Sequence, residues 1–160
     1  MDIYYKPISE SGKQMINYVC KYAPVELFKG FGQECAVLEE MPENFDKSDK
    51  IAHANLCGFG KSVIQAVLEG KVEELVLVNC CDSMRRVYDI IENTKKCKFL
   101  YMLDLPHEDN ECENIKFAQS ILRLKKAYER YSHRTFDREL FIKSFAKPES
   151  ERKPYIGPVS

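Results

Sequence analysis

Apolar and polar positions follow two different rhythms along this chain. Val63, Ile64, Val67 and Leu68 share one side of a helix that Gly70 would end. Leu75, Val76, Leu77 and Val78 then form a short apolar run without a polar face, which predicts a strand over 74–79 buried on both sides. Helical spacing returns with Met84, Val87, Tyr88 and Ile91 and predicts a helix over 82–93. Residues 98–104, apolar from Phe99 to Leu103, read as the third strand, broken by Leu105, Pro106 and His107. Phe117, Ile121, Leu124, Tyr128 and Tyr131 step by four and three, which predicts a long helix over 114–131. Thr135 is placed to cap a last helix carrying Leu140, Phe141 and Phe145.

The front of the chain is less regular. Residues 9–18 read as a short, weakly helical segment. Pro24 suits the first turn of a helix over 24–31, because its missing N–H has no helical partner there. Gly30 and Gly32 would end that helix, and Cys20 and Tyr22 would lie on the loop before it. Residues 34–38 read as the first strand, and the polar stretch 40–54 as a long surface loop. Strands alternating with helices mean βαβ units. The predicted fold is therefore α/β, a three-layer parallel sheet flanked by helices in a Rossmann- or flavodoxin-like lobe. Ligands of such sheets gather at the carboxyl ends of the strands. Cys81 and His107 fall there, and Cys57 joins them if the long loop folds back to that edge.

Composition narrows the class. The 160 residues suffice for one domain with a real core. With 24 basic and 25 acidic residues the net charge is −1, which argues against a nucleic-acid partner. No apolar run approaches the roughly 18 residues of a membrane span. The start, Met1-Asp2-Ile3-Tyr4-Tyr5-Lys6, lacks the form of a signal peptide, so a cytoplasmic location is expected. Seven cysteines, an odd number without a secretion signal, do not suggest a disulfide framework. Cys35 and Cys97 sit beside predicted strands and read as small packed hydrophobes, while Cys112 lies in a polar stretch and reads as incidental.

The remaining thiols carry the candidate chemistry. Asn79-Cys80-Cys81-Asp82 delivers two thiols to the mouth of a helix, with Asp82 as its expected N-cap. The positive end of a helix dipole favours a thiolate and hence metal binding. Cys57 stands in a similar setting, Leu56-Cys57-Gly58-Phe59-Gly60-Lys61-Ser62. The spacing of Cys57 and Cys81 is not a zinc or ferredoxin signature, so only the fold can bring them together. Cys80 should point to the other side of an extended chain and pack into the sheet, with ligation as its alternative. Cys20 either ligates or lines the site. Gly58 and Gly60 provide either close backbone approach or loop flexibility. Arg85 and Arg86 offset the charge of a cluster, meet a coenzyme A phosphate, or form a solvated helix face. Glu26 is either a proton-handling carboxylate or an acid stabilising the first turn of its helix. His107 reads as a loop histidine, and His53 and His133 have no motif around them.

Four segments together resemble the D-component family of 2-hydroxyacyl-CoA dehydratases, typified by 2-hydroxyglutaryl-CoA dehydratase and related to benzoyl-CoA reductase. They are Cys20-Lys21-Tyr22-Ala23-Pro24-Val25-Glu26-Leu27, Asn55-Leu56-Cys57-Gly58-Phe59-Gly60-Lys61-Ser62, Asn79-Cys80-Cys81-Asp82-Ser83-Met84-Arg85-Arg86-Val87-Tyr88, and Leu103-Asp104-Leu105-Pro106-His107. The resemblance implies α/β lobes with a [4Fe–4S] cluster held between them by three cysteines. Two of these map onto Cys57 and Cys81, and the third belongs to a later lobe. On this reading residues 1–150 are the N-terminal lobe, and 151–160 are a linker in which Tyr155-Ile156-Gly157 begins the next lobe.

The resemblance also implies a reaction, the radical elimination of water from an (R)-2-hydroxyacyl-CoA to give a 2-enoyl-CoA. A low-potential electron, delivered by a separate ATP-dependent activator, makes a ketyl radical anion that expels the hydroxyl. The implied enzyme is an anaerobic lyase, a heterodimer with a second subunit of the same family, and this chain alone would be incomplete. Two other readings stay open. One is a related acyl-CoA or double-cubane-cluster reductase component, for which the doubled Cys80-Cys81 speaks. The other is a non-catalytic partner domain.

Overall fold

The computed structural model describes residues 15–39 and 41–146. Residues 9–14, the polar run after Pro148 and the Tyr155-Ile156-Gly157 segment lie outside them. The described elements follow in the order β1 (Ile16–Tyr18), α1 (Val25–Lys29), β2 (Cys35–Val37), a 3₁₀ turn (Ser48–Lys50), α2 (Gly58–Leu68), β3 (Glu74–Val78), α3 (Asp82–Thr94), β4 (Phe99–Leu103), α4 (Glu111–Ser132) and α5 (Arg138–Phe145). Four parallel strands pair in the order β2-β1-β3-β4. This is the expected α/β architecture.

The sheet separates two apolar layers. Alternation along β3 builds both, since successive side chains point to opposite faces. Val76 and Val78 join Ile16, Phe28, Leu124 and Tyr128 on the face covered by α1 and α4. Leu75 and Leu77 join Val63, Ile64, Val67, Met84, Val87 and Ile91 on the face covered by α2 and α3. All five residues of β3 are buried, which is why its sequence has no polar rhythm.

Three local readings change, and the predicted surface loop gains an anchor. Residues 16–18 form the inner strand β1, not the end of a helix, with Tyr18 opposite Val76 of β3 and Val37 of β2. A three-residue strand shows no measurable period, and the pairing that makes it a strand is long-range. Pro24 is the N-cap of α1 instead of lying inside its first turn. Asp137, not Thr135, caps α5, its carboxylate accepting from the amides of Glu139 and Leu140 at 2.7 and 3.1 Å. The loop over residues 41–54 is pinned down: Gln65 is buried in α2, and its Oε1 accepts from the amides of Lys47 and Ser48 at 3.1 and 2.8 Å. That anchor, with Ser48 fully buried, carries the chain back over the sheet to the start of α2.

One buried carboxyl makes stability depend on pH. Glu74 begins β3 and is 5 % exposed. Tyr131 donates to its Oε1 at 2.9 Å, whereas Oε2 is buried without a hydrogen-bond partner among the described residues. Burial raises its pKa above the usual carboxylate value, against the opposing pull of Tyr131 and Arg134. A carboxyl with a raised folded pKa favours the folded state fully below its free value of about 4.3, and that advantage fades as pH rises through the folded value. Glu74→Gln should therefore flatten the loss of stability between that pH and neutrality. Urea midpoints measured across the range check this, and an unchanged slope would remove Glu74 as its source.

Candidate functional site

The strand order contains a topological switch. From β1 the chain moves to one side, into β2; from β2 it crosses back over β1, through α2, into β3. The two excursions leave a crevice at the carboxyl ends of β1 and β3, the usual ligand site of such sheets. Cys20 follows the end of β1, and Cys80 and Cys81 follow the end of β3. Helices α2 and α3 each run back from this rim along the same face, so both N-termini stand there.

Cysteines cap both helices. Cys57 is the N-cap of α2, and its Sγ accepts from the amide of Gly60 at 3.3 Å. Cys81 is the N-cap of α3, in extended conformation, and its thiol makes no capping hydrogen bond. Asp82, expected as the cap, is instead the first helical residue, where its charge complements the dipole. Gly60 explains how closely the two helix starts approach. A Cβ there would lie 3.0 Å from Val87 Cγ2 of α3 and 3.4 Å from Cys57 Sγ. Gly58 and Gly60 are thus the first turn of a helix and not a flexible loop, and nothing crowds Gly58.

Cys80 does not pack into the sheet as alternation suggested. The strand has ended at Val78, so alternation no longer governs it, and Cys80 is exposed. Its pKa is pushed up to about 11, by burial first and then by the neighbouring thiols of Cys20 and Cys81. Cys20 is half-buried against both apolar layers. Among the described residues no group of three His, Cys, Asp or Glu side chains is arranged to hold a metal ion by itself.

The other thiols stand apart. Burial pushes Cys35 up to about 12 and Cys97 to about 11, as fits packed, inert thiols. Cys112 is exposed in the first turn of α4. Glu26 lies in the first turn of α1, on the opposite face from α2 and α3, where its charge helps raise Tyr18 and Cys35. Arg85 and Arg86 are both exposed and share a shallow depression with Asp82 and Asp89. Arg86 lines an open groove of about 540 Å³ with His53, Leu56 and Asp82. Arg85 faces a cleft of about 470 Å³ with Asp104, His107, Lys116 and Arg123. His107 is an exposed loop residue whose amide donates to Glu113 at 3.3 Å.

Sequence reasoning missed Asn79. Its Nδ2 donates to Asp104 at 2.9 Å, and its Oδ1 accepts from the amide of Leu105 at 2.8 Å. It ties the ends of β3 and β4 together and so sets where the following cysteines emerge. An asparagine right after an apolar run was the available signal.

Comparison with known families matches residues 20–155 to the one described as 2-hydroxyglutaryl-CoA dehydratase, D-component. The chain belongs to this family. No individual curated protein matches it. The matched segment takes in both N-cap cysteines, Cys80 and Cys20. No helix among the described residues is long and apolar enough to cross a membrane.

Proposed function

We propose that this chain is the cluster-bearing first lobe of a 2-hydroxyacyl-CoA dehydratase component, with Cys57 and Cys81 as two ligands of a [4Fe–4S] cluster. The observation that supports it is the pair of cysteine N-caps, on adjacent helices, at one rim of the sheet. Thiolates are the usual ligands of such clusters. Helix N-termini stabilise the negative charge that thiolates bring, and the Cys81 sulfur is not engaged by its own helix. Gly60 keeps the two helix starts close, and Arg85 and Arg86 on the first turns of α3 add positive charge nearby. A third thiolate from another lobe or subunit would complete the set. When bound, the cluster would supply a low-potential electron and an iron with an open position for the thioester carbonyl oxygen.

The test is anaerobic reconstitution with ferrous iron and sulfide, for the chain alone and for the chain with the second subunit of the enzyme. Alone, the chain should lose its iron on gel filtration. With the second subunit it should retain the visible absorption of a cluster. Given the ATP-dependent activator, the assembly should then convert an (R)-2-hydroxyacyl-CoA to the enoyl-CoA. Tight, stoichiometric cluster binding by the chain alone would overturn the need for an outside thiolate. An assembly that holds no cluster even when the later lobe is also present would overturn the function itself.

A further inference from the structure

We propose that the cleft of about 470 Å³ beyond the end of β4 is a binding site for the phosphate group of a small ligand, held between the guanidinium groups of Arg85 and Arg123. Three segments wall it: the first turn of α3, the loop after β4 and the first half of α4. Arg85 lines it from α3, and Lys116 and Arg123 line it from α4. Two acids, Asp104 and Glu113, share the walls, and each is already engaged. Asp104 accepts from Asn79 Nδ2 at 2.9 Å. Glu113 accepts from Lys116 Nζ at 2.7 Å and from the His107 amide at 3.3 Å, and the bond from Lys116 is the first cause of its lowered pKa. That pair largely cancels. The arginines differ. Arg85 also borders Asp82 and Asp89, yet among the described residues neither Arg85 nor Arg123 is ion-paired with an acid.

The chemistry of these groups selects the ligand. A guanidinium presents a planar fork of donors that matches two oxygens of a phosphate. Two forks from different helices suit a tetrahedral dianion, whereas a planar carboxylate is satisfied by one of them. Ser120, 3 % exposed and one turn before Arg123, lines the same wall with a hydroxyl that can donate to a further oxygen. The volume falls within the roughly 300–1,000 Å³ of small-molecule sites, so there is room for more than the phosphate itself. Asn79 lies at the edge of the cleft, two residues before Cys81. Two sources of the group fit this chemistry. One, which rests on the dehydratase reading, is the phosphate-bearing end of a coenzyme A thioester; the other is free phosphate.

The experiment uses the reduced, metal-free 160-residue chain, so its outcome does not depend on whether Cys57 and Cys81 hold a cluster. Inorganic phosphate, adenosine 3′,5′-bisphosphate and glutarate are each titrated at low ionic strength and followed by amide NMR shifts. Both phosphate probes should bind saturably, with the largest shifts at 104–107, 116–123 and Arg85. A bisphosphate bound about tenfold more tightly than inorganic phosphate assigns the coenzyme as source, and equal affinities assign free phosphate. Arg85→Gln and Arg123→Gln, both at exposed positions, should each weaken binding about tenfold or more. Arg86→Gln removes the same charge from the next residue and should change affinity no more than about twofold, since solvent screens it. Equal losses in all three variants would reduce the effect to net charge and overturn the site. So would glutarate binding as tightly as the phosphates, no saturable binding of either phosphate probe, or shifts centred on Gly58 and Gly60 of α2.

Discussion

Cys81→Ala, in the protein assembled with whatever supplies the third thiolate, should reduce bound iron and sulfide to background and abolish turnover. Cys57→Ala should do the same. Each removes one of the two N-cap thiols of α2 and α3. The effect should be all-or-none, because a cubane left with one ligand from this lobe loses its attachment to it. Cys97→Ser, at a packed site away from the rim, is the control and should keep the visible spectrum. The readouts are iron and sulfide content and the visible absorption of the anaerobically purified assembly. A normal spectrum in Cys81→Ala would take that residue out of the site.

Tyr128→Ala should destabilise the chain by about 3–5 kcal/mol, the usual cost of deleting a large buried ring. Tyr128 is 1 % exposed. Its ring meets those of Phe28, Phe31 and Phe99 at 5.2 Å between centroids, each edge to face. It therefore ties α4 to α1 and to β4 through one side chain, and no neighbour can move in without giving up a contact of its own. A domain of this size has a total stability of about 5–15 kcal/mol, so the variant should sit near the edge of folding. Ile142→Ala, on the exposed side of α5, should shift stability by no more than about 0.5 kcal/mol. Urea unfolding followed by circular dichroism compares the two. Equal midpoints would mean that the ring cluster is not the keystone of this layer.

The expected elements survived best where one chemical signal repeats. The stripe from Phe117 to Tyr131 lies within α4, and its Leu124 and Tyr128 are fully buried, as a helical face packed on a sheet should be. The run Leu75–Val78 is β3, buried on both faces. The readings that changed rest on single residues or very short segments. Thr135 and Asp137 are both good caps by type, and only the backbone course decides which of them meets free amides. Asp82 and Cys81 posed the same choice at α3.

The residue pattern by itself determined the α/β class, the helices α2 to α4, the strands β3 and β4, and the four segments that mark the family. Those features are local: they depend on periods of two or 3.6 residues and on fixed strings of side chains. Tertiary structure alone decided that residues 16–18 are a strand and that both cysteines cap helices on one rim. The physical reason is that each of these depends on contacts between residues far apart in the chain. A three-residue strand gains its hydrogen bonds from neighbours on both sides, and a switch point exists only once the strand order is set.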